Sequence, residues 1–165
     1  MTPIRITLAS LATTCSLLMA APAFAQTAPA PYGAPINIEQ AKKAMAAAEA
    51  EARKNNWQVV ISIVDSGGHL VALERLDAQT ASVDISIGKA TTAASFRRPS
   101  KALEDSLAPG GSSLRILALR NATPLQGGVP IVVDGKIIGA IGVSGVMASQ
   151  DEQVAMAGAA ALASK

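Results

Sequence analysis

Gly127-Gly128-Val129-Pro130-Ile131, then Asp134-Gly135, then Gly139-Ala140-Ile141-Gly142-Val143-Ser144-Gly145 reads as strand, turn and strand. Asp134-Gly135 supplies the positive φ angles of a two-residue hairpin, so the flanking segments pair antiparallel. The second strand carries apolar residues on both faces, the pattern of a strand covered from both sides. Glycine weakens a strand interior. Gly139, Gly142 and Gly145 therefore imply that something approaches this backbone closely: a packed helix, a neighbouring subunit or a ligand.

A second hairpin lies upstream. Trp57 to Val64 is a β-branched strand, Asp65-Ser66-Gly67-Gly68 is a turn, and His69 to Leu76 returns. The alternation sets His69, Val71, Leu73 and Arg75 on one face and Leu70, Ala72, Glu74 and Leu76 on the other. Helices flank both hairpins. Asn37 with Gln40 forms a capping box for a helix whose stripe is Ala41, Ala44, Met45, Ala48 and Ala52, ended by Asn55-Asn56. A second helix runs from about Ala81 to Phe96, with Val83, Ile87, Ala90 and Ala94 at core spacing. Pro99 and Ala108 to Ser113 mark an irregular connection, with short helical turns expected either side. Ser149-Gln150-Asp151-Glu152 is a capping box for a last helix, whose small side chains (Ala157, Gly158, Ala161) suit close packing. There are no internal repeats. This order gives an α+β domain, an antiparallel sheet covered by helices.

The N-terminal residues read as an address. Arg5, the apolar run Ile6 to Ala21 and the small-residue site Ala23-Phe24-Ala25 form a signal peptide over residues 1–25. Cleavage leaves about 140 residues, one domain at residues 36–165, preceded by an Ala- and Pro-rich disordered leader at 26–35. The expected location is outside the cytoplasm, in a periplasm or secreted. The mature chain is expected to have no membrane span, since the apolar run is short for one. The only cysteine, Cys15, leaves with the signal, which excludes disulfides, a cysteine nucleophile and cysteine-based zinc sites. Losing Arg5 lowers the formal charge from +2 to about +1, and Tyr32, Trp57 and Phe96 are the only mature aromatics. Neither charge nor stacking surface supports a nucleic-acid partner.

Few residues remain to carry chemistry. His69 is the sole histidine, so it is either a solvated turn residue, a general base or an axial ligand to a metal or haem. Multi-histidine metal sites within one subunit are excluded. Gly142-Val143-Ser144-Gly145 misses the nucleophile-elbow spacing by one residue, and no phosphate loop or dinucleotide fingerprint is present. Gly110-Gly111 and Gly127-Gly128 are candidate anion nests, the second pair being better placed at the head of a strand. Asp151 near a helix start suits the helix dipole or could act as an acid or base, and Arg97-Arg98 at a helix end suit the dipole there and could meet carboxylates.

The hairpin Ile63-Val64-Asp65-Ser66-Gly67-Gly68-His69-Leu70-Val71-Ala72-Leu73-Glu74-Arg75-Leu76-Asp77 resembles the first hairpin of the GlcG/HbpS-type haem-binding (haem-degrading domain) family. Lys89-Ala90-Thr91-Thr92-Ala93 resembles the family's second helix. The glycine-rich strands at 127–131 and 138–145, followed by Asp151-Glu152, resemble its C-terminal core. The likeness covers about residues 36–164 and extends to the C-terminal domain of PduO.

The resemblance implies a profilin-like antiparallel β-sheet flanked by α-helices, a homo-oligomer, and haem as cofactor or cargo. Its site would draw on His69 first as iron ligand, then on Met147, with Arg75 pairing a propionate and Gly127 and Gly128 lining the ligand. Tyr32, Met45 and Met156 complete the set of available donors. With almost no aromatic lining, a haem would sit shallowly or between subunits. Two other readings stay open. One is a binder of, or enzyme acting on, a small carboxylate or carbonyl compound, held by Gly127-Gly128 N–H groups and Arg75, with His69 or Asp65 moving protons. The other is a non-catalytic oligomeric sensor or interaction module.

Overall fold

The structure, a computed structural model, describes residues 28–163; the expected signal segment, residues 1–25, lies outside them. In chain order the elements are α1 (Ile38–Lys54), β1 (Val60–Asp65), β2 (Leu70–Arg75), α2 (Ser82–Phe96), α3 (Lys101–Leu107), a 3-10 helix (Gly111–Ala118), β3 (Gly128–Val133), β4 (Lys136–Ser144) and α4 (Ala148–Ala160). The sheet order is β2-β1-β4-β3, antiparallel throughout. This is the expected α+β architecture, with β4 buried along nearly its whole length. Among the described residues no helix is long and apolar enough to cross a membrane.

The two faces of the sheet are built differently. On one, Ile61, Ile63, Ile141 and Val143 meet the alanine stripe of α1 and Val154 and Ala155 of α4, a conventional apolar core. On the other, α2 packs on Val64 and Ala140 through Ala90, Ala93 and Ala94. Gly142 is the reason α2 can come so near. A Cβ there would overlap the Ser86 carbonyl oxygen and lie 2.5 Å from Ala90 N. The object close to the glycine strand is thus, at this position, a helix of the same chain.

That close approach turns α2. Its expected stripe included Val83 and Ile87, but the buried positions include Ser82, Ser86, Lys89, Ala90 and Ala93, while Val83 and Ile87 are half-buried. Small polar side chains fit against a glycine strand and find partners there. Ser62 and Ser86 hydroxyls meet at 2.7 Å, and Ser144 Oγ donates to Ser82 Oγ at 3.3 Å. Lys89, 3% exposed, donates from Nζ to Asp151 Oδ2 at 2.8 Å and to the Val143 carbonyl at 2.9 Å.

Two local expectations change. Within the expected leader, Pro31 and Gly33 are held to β4, as is Ile36 just beyond it: Ile137 N–H donates to Pro31 O, Gly33 N–H to Ile137 O and Ile36 N–H to Ile138 O. These residues occupy the side of β4 that β1 leaves free beyond the Asp65–Gly139 pair. Unpaired donors on a buried strand need partners, and this segment supplies them. α4 begins at Ala148, capped at Met147, rather than at Ser149. Gln150 Oε1 accepts from Met147 N–H at 3.2 Å, while Asp151, expected only to favour the helix dipole, turns inward to Lys89. The connection after Pro99 carries helical turns, as expected, in α3 and in a 3-10 helix that leaves Leu114 and Leu117 exposed.

The Lys89–Asp151 pair gives the first prediction. Asp151→Asn leaves a buried ammonium without its counter-charge and should cost about 3–5 kcal/mol in urea unfolding. Adding Lys89→Met to that variant should restore most of the loss, because the apolar stem replaces the stranded charge. Independent, additive losses would show that the pair is not coupled.

Candidate functional site

The turn between β1 and β2 is wound around one carboxylate. Asp65 Oδ1 accepts the Gly67 N–H at 2.8 Å and the His69 N–H at 2.9 Å, and Asp65 O accepts the Gly68 N–H at 3.0 Å. This is the local closure Asp makes in place of secondary structure. The same Oδ1 lies 3.4 Å from His69 Nδ1. Desolvation pushes the Asp65 carboxyl up, but the two backbone N–H bonds and the nearby imidazole outweigh it, leaving the group below its ordinary value. The ring reaches the carboxylate by folding over Gly67, where a Cβ would sit 2.9 Å from Nδ1. Thr91 Oγ1 of α2 donates to Gly68 O at 3.3 Å and pins the turn from beneath.

His69 itself is 84% exposed at its side chain. Carboxylate on the Nδ1 side and water on the other leave Nε2 open, the arrangement by which an outer carboxylate orients an imidazole ligand. Among the described residues no group of three or more His, Cys, Asp or Glu is placed to hold a metal ion. What this end can offer is one axial nitrogen to a metal that brings its own equatorial ligands, and a haem iron fits that requirement.

The other expected site residues do not converge on His69. His69 and Arg75 bracket β2, so about 20 Å of extended chain separates them. Val60 pairs with both Arg75 and Ser144, which puts Met147, 69% exposed, near the Arg75 end as well. Gly127 and Gly128 are buried against Lys89, and Gly128 N–H donates to Ser100 Oγ at 2.8 Å. They pack the chain rather than line an open nest. Met45 lies in the α1 core, and Met156 is exposed on α4.

Two residues do join the His69 end. Tyr32 donates its hydroxyl to Ala94 O at 2.8 Å and to Ser95 O at 3.2 Å, beside the α2 turn that supports Gly68. Arg97, left-handed at φ 53° where α2 stops, sits over the Tyr32 ring at 5.7 Å. The cation nearer His69 is therefore Arg97 and not Arg75. Sequence placed Arg97 at a helix end, able to meet a carboxylate; its neighbour Tyr32 lies in the leader, 26–35, that composition had marked as disordered.

The Arg75 end holds a cleft of about 520 Å³ between the α1–β1 turn and the end of β2. Deeper in, Asp151 is held above its ordinary value chiefly by burial, against the opposing pull of Lys89. Its Oδ1 accepts the Val146 N–H at 3.2 Å, tying the β4–α4 loop to the buried pair.

Comparison with known proteins bears on the family and the fold. The family model described as haem degrading protein HbpS-like matches residues 36–160. Protein GlcG of Escherichia coli K12 is 48% identical over 110 residues, covering 66% of this chain and 81% of GlcG. Among solved structures, a double mutant of HbpS from Streptomyces reticuli superposes with a TM-score of 0.73 at 33% identity, covering 87% of this chain and 97% of that one. A PduOC:heme complex superposes with a TM-score of 0.70 at 28% identity, covering 77% and 94%. This chain, with its four-stranded sheet and its one imidazole set on a carboxylate-wound turn, belongs to the HbpS-like haem-degrading protein family.

Proposed function

We propose that this is an exported haem-binding protein that scavenges, buffers or helps degrade haem, with His69 as an axial ligand. The observation that carries the reading is the sole imidazole of the chain, solvent-facing, with Nδ1 turned to Asp65 and Nε2 free. Family membership and a haem complex among its structural neighbours support it. When bound, haem would supply the redox-active iron; the chain's residues hold and orient it. Asp65 fixes the ring, Gly67 makes room for it, and Arg97 offers a guanidinium to a propionate.

The openness of this face bears on assembly. The His69 side chain is exposed, so a ring held on it would leave a broad face open to solvent. Leu70 and Leu73 lie on β2, an edge strand whose outer side is unpaired in the sheet. A second copy packed there would bury both the leucines and the porphyrin, so we infer a homo-oligomer with haem held between copies.

Hemin titrated into the mature protein should give a saturable Soret shift that His69→Ala abolishes. Arg97→Gln should weaken it about tenfold, the value of one charge-assisted contact. Saturable binding indifferent to His69→Ala would overturn the ligand assignment. N-terminal sequencing of protein recovered outside the cytoplasm should begin at Gln26; an intact Met1 there would refute processing. For Asp65 the folded pKa is depressed below the ordinary aspartate value, so the unfolded chain binds more protons in the window between the two. Its stabilisation is present above the window and lost as pH falls through it. The stability advantage of the natural protein over Asp65→Asn, followed by thermal melts, should shrink below about pH 4; an advantage that grows on acidification would contradict the assignment.

A further inference from the structure

We infer that the cleft at the Arg75 end is a second ligand site, for a small, uncharged, polyhydroxylated molecule of sugar-like chemistry. Its volume, about 520 Å³, is that of a small-molecule pocket. A second lobe of about 360 Å³ adjoins it, sharing Asn56 and Gln58 and floored by Gly145 and Val146. That floor is firm, since Val146 N–H is held by the buried Asp151.

The lining selects the ligand. Glu74, Asp77, Asn56, Gln58 and Gln79 offer carboxylate and amide oxygens, and the amides and Arg75 offer N–H donors. Arg75 is preset: its Nε–H donates to Ala78 O at 2.7 Å, leaving the terminal nitrogens without a bonded acceptor among the described residues. A hydroxyl both donates and accepts, so a polyol satisfies such a mixed set.

Other classes fit less well. Arg53 is already paired with Glu49 at 2.6 Å, so no excess of positive charge awaits an anion that would also face Glu74 and Asp77. An apolar plate such as a porphyrin would desolvate those carboxylates and amides without replacing their hydrogen bonds. Trp57, half-buried on the wall, adds one flat apolar surface of the kind that meets the C–H face of a sugar ring.

Trp57 is the only tryptophan of the chain and reports on the cleft. The full mature protein should be titrated with D-glucose, D-ribose, N-acetylglucosamine and glycerol, with gluconate and glycine as charged comparators. Trp57 emission and saturation-transfer NMR of each compound would be recorded. The expected result is saturable binding of at least one uncharged compound, weakened tenfold or more by Asp77→Asn and by Gln79→Ala. Asn tolerates the left-handed φ of 54° at position 77, and Gln79 is an exposed residue, so both variants should fold. Binding of gluconate or glycine alone, binding unmoved by both variants, or no saturable response to any uncharged compound would overturn the proposal.

Discussion

Lys89 reaches from α2 to Asp151 at the start of α4, and both groups are almost wholly removed from water. Leaving either charge buried alone would cost several kcal/mol, so the helices on opposite faces of the sheet are held to one relative placement. Around this contact the glycine-rich segment takes its shape. Gly127 and Gly128 lie against Lys89 because a Cβ at 127 would fall 2.9 Å from its Nζ, and one at 128 would strike its carbonyl. Lys89 also caps the Val143 carbonyl near the end of β4, and Asp151 holds the loop that follows. Strand, loop and two helices are thus fixed by one ion pair.

The arrangement separates the molecule into two chemically distinct ends. At the β1–β2 turn, one exposed imidazole, an orienting carboxylate and a nearby guanidinium gather on an open face. At the other end of β2, amides, carboxylates and Arg75 line a polar cleft on a loop anchored to the buried pair. A flat apolar ligand with carboxylate arms suits the first, especially between two copies. A small hydrogen-bonding ligand suits the second. Haem chemistry and polar-ligand chemistry need not compete for the same residues.

Much of this was legible in the sequence. The Asp134-Gly135 turn and the Asn37–Gln40 box specify a hairpin and a helix start through local physics, and they stand where expected. The alternation expected of β2 does not hold throughout: a bulge at Val71 puts Leu70 and Leu73, opposite Val64 and Ser62, on the same face. The glycine strand announced a close approach but not the approaching object, because Gly142 says only that a Cβ is forbidden. The stripe of α2 was misread for the same reason: with glycine opposite, serine and lysine outcompete Val83 and Ile87 for the interior. Asp151 was read as a helix-dipole residue since its partner lies 62 residues away, on another helix. The site suffered most from distance. Parity alone put His69 and Arg75 on one face, but a bulge at Val71 breaks the alternation between them and the length of β2 separates them.

A single histidine makes the central claim directly observable. With the imidazole nitrogens of the natural protein labelled with 15N, its one pair of ring signals would be followed while diamagnetic zinc protoporphyrin is added. Axial ligation by His69 predicts a large shift of the Nε2 resonance, saturating with porphyrin binding, while Nδ1 keeps its proton beside Asp65. Porphyrin that binds saturably while both nitrogen signals stay in place would contradict the account.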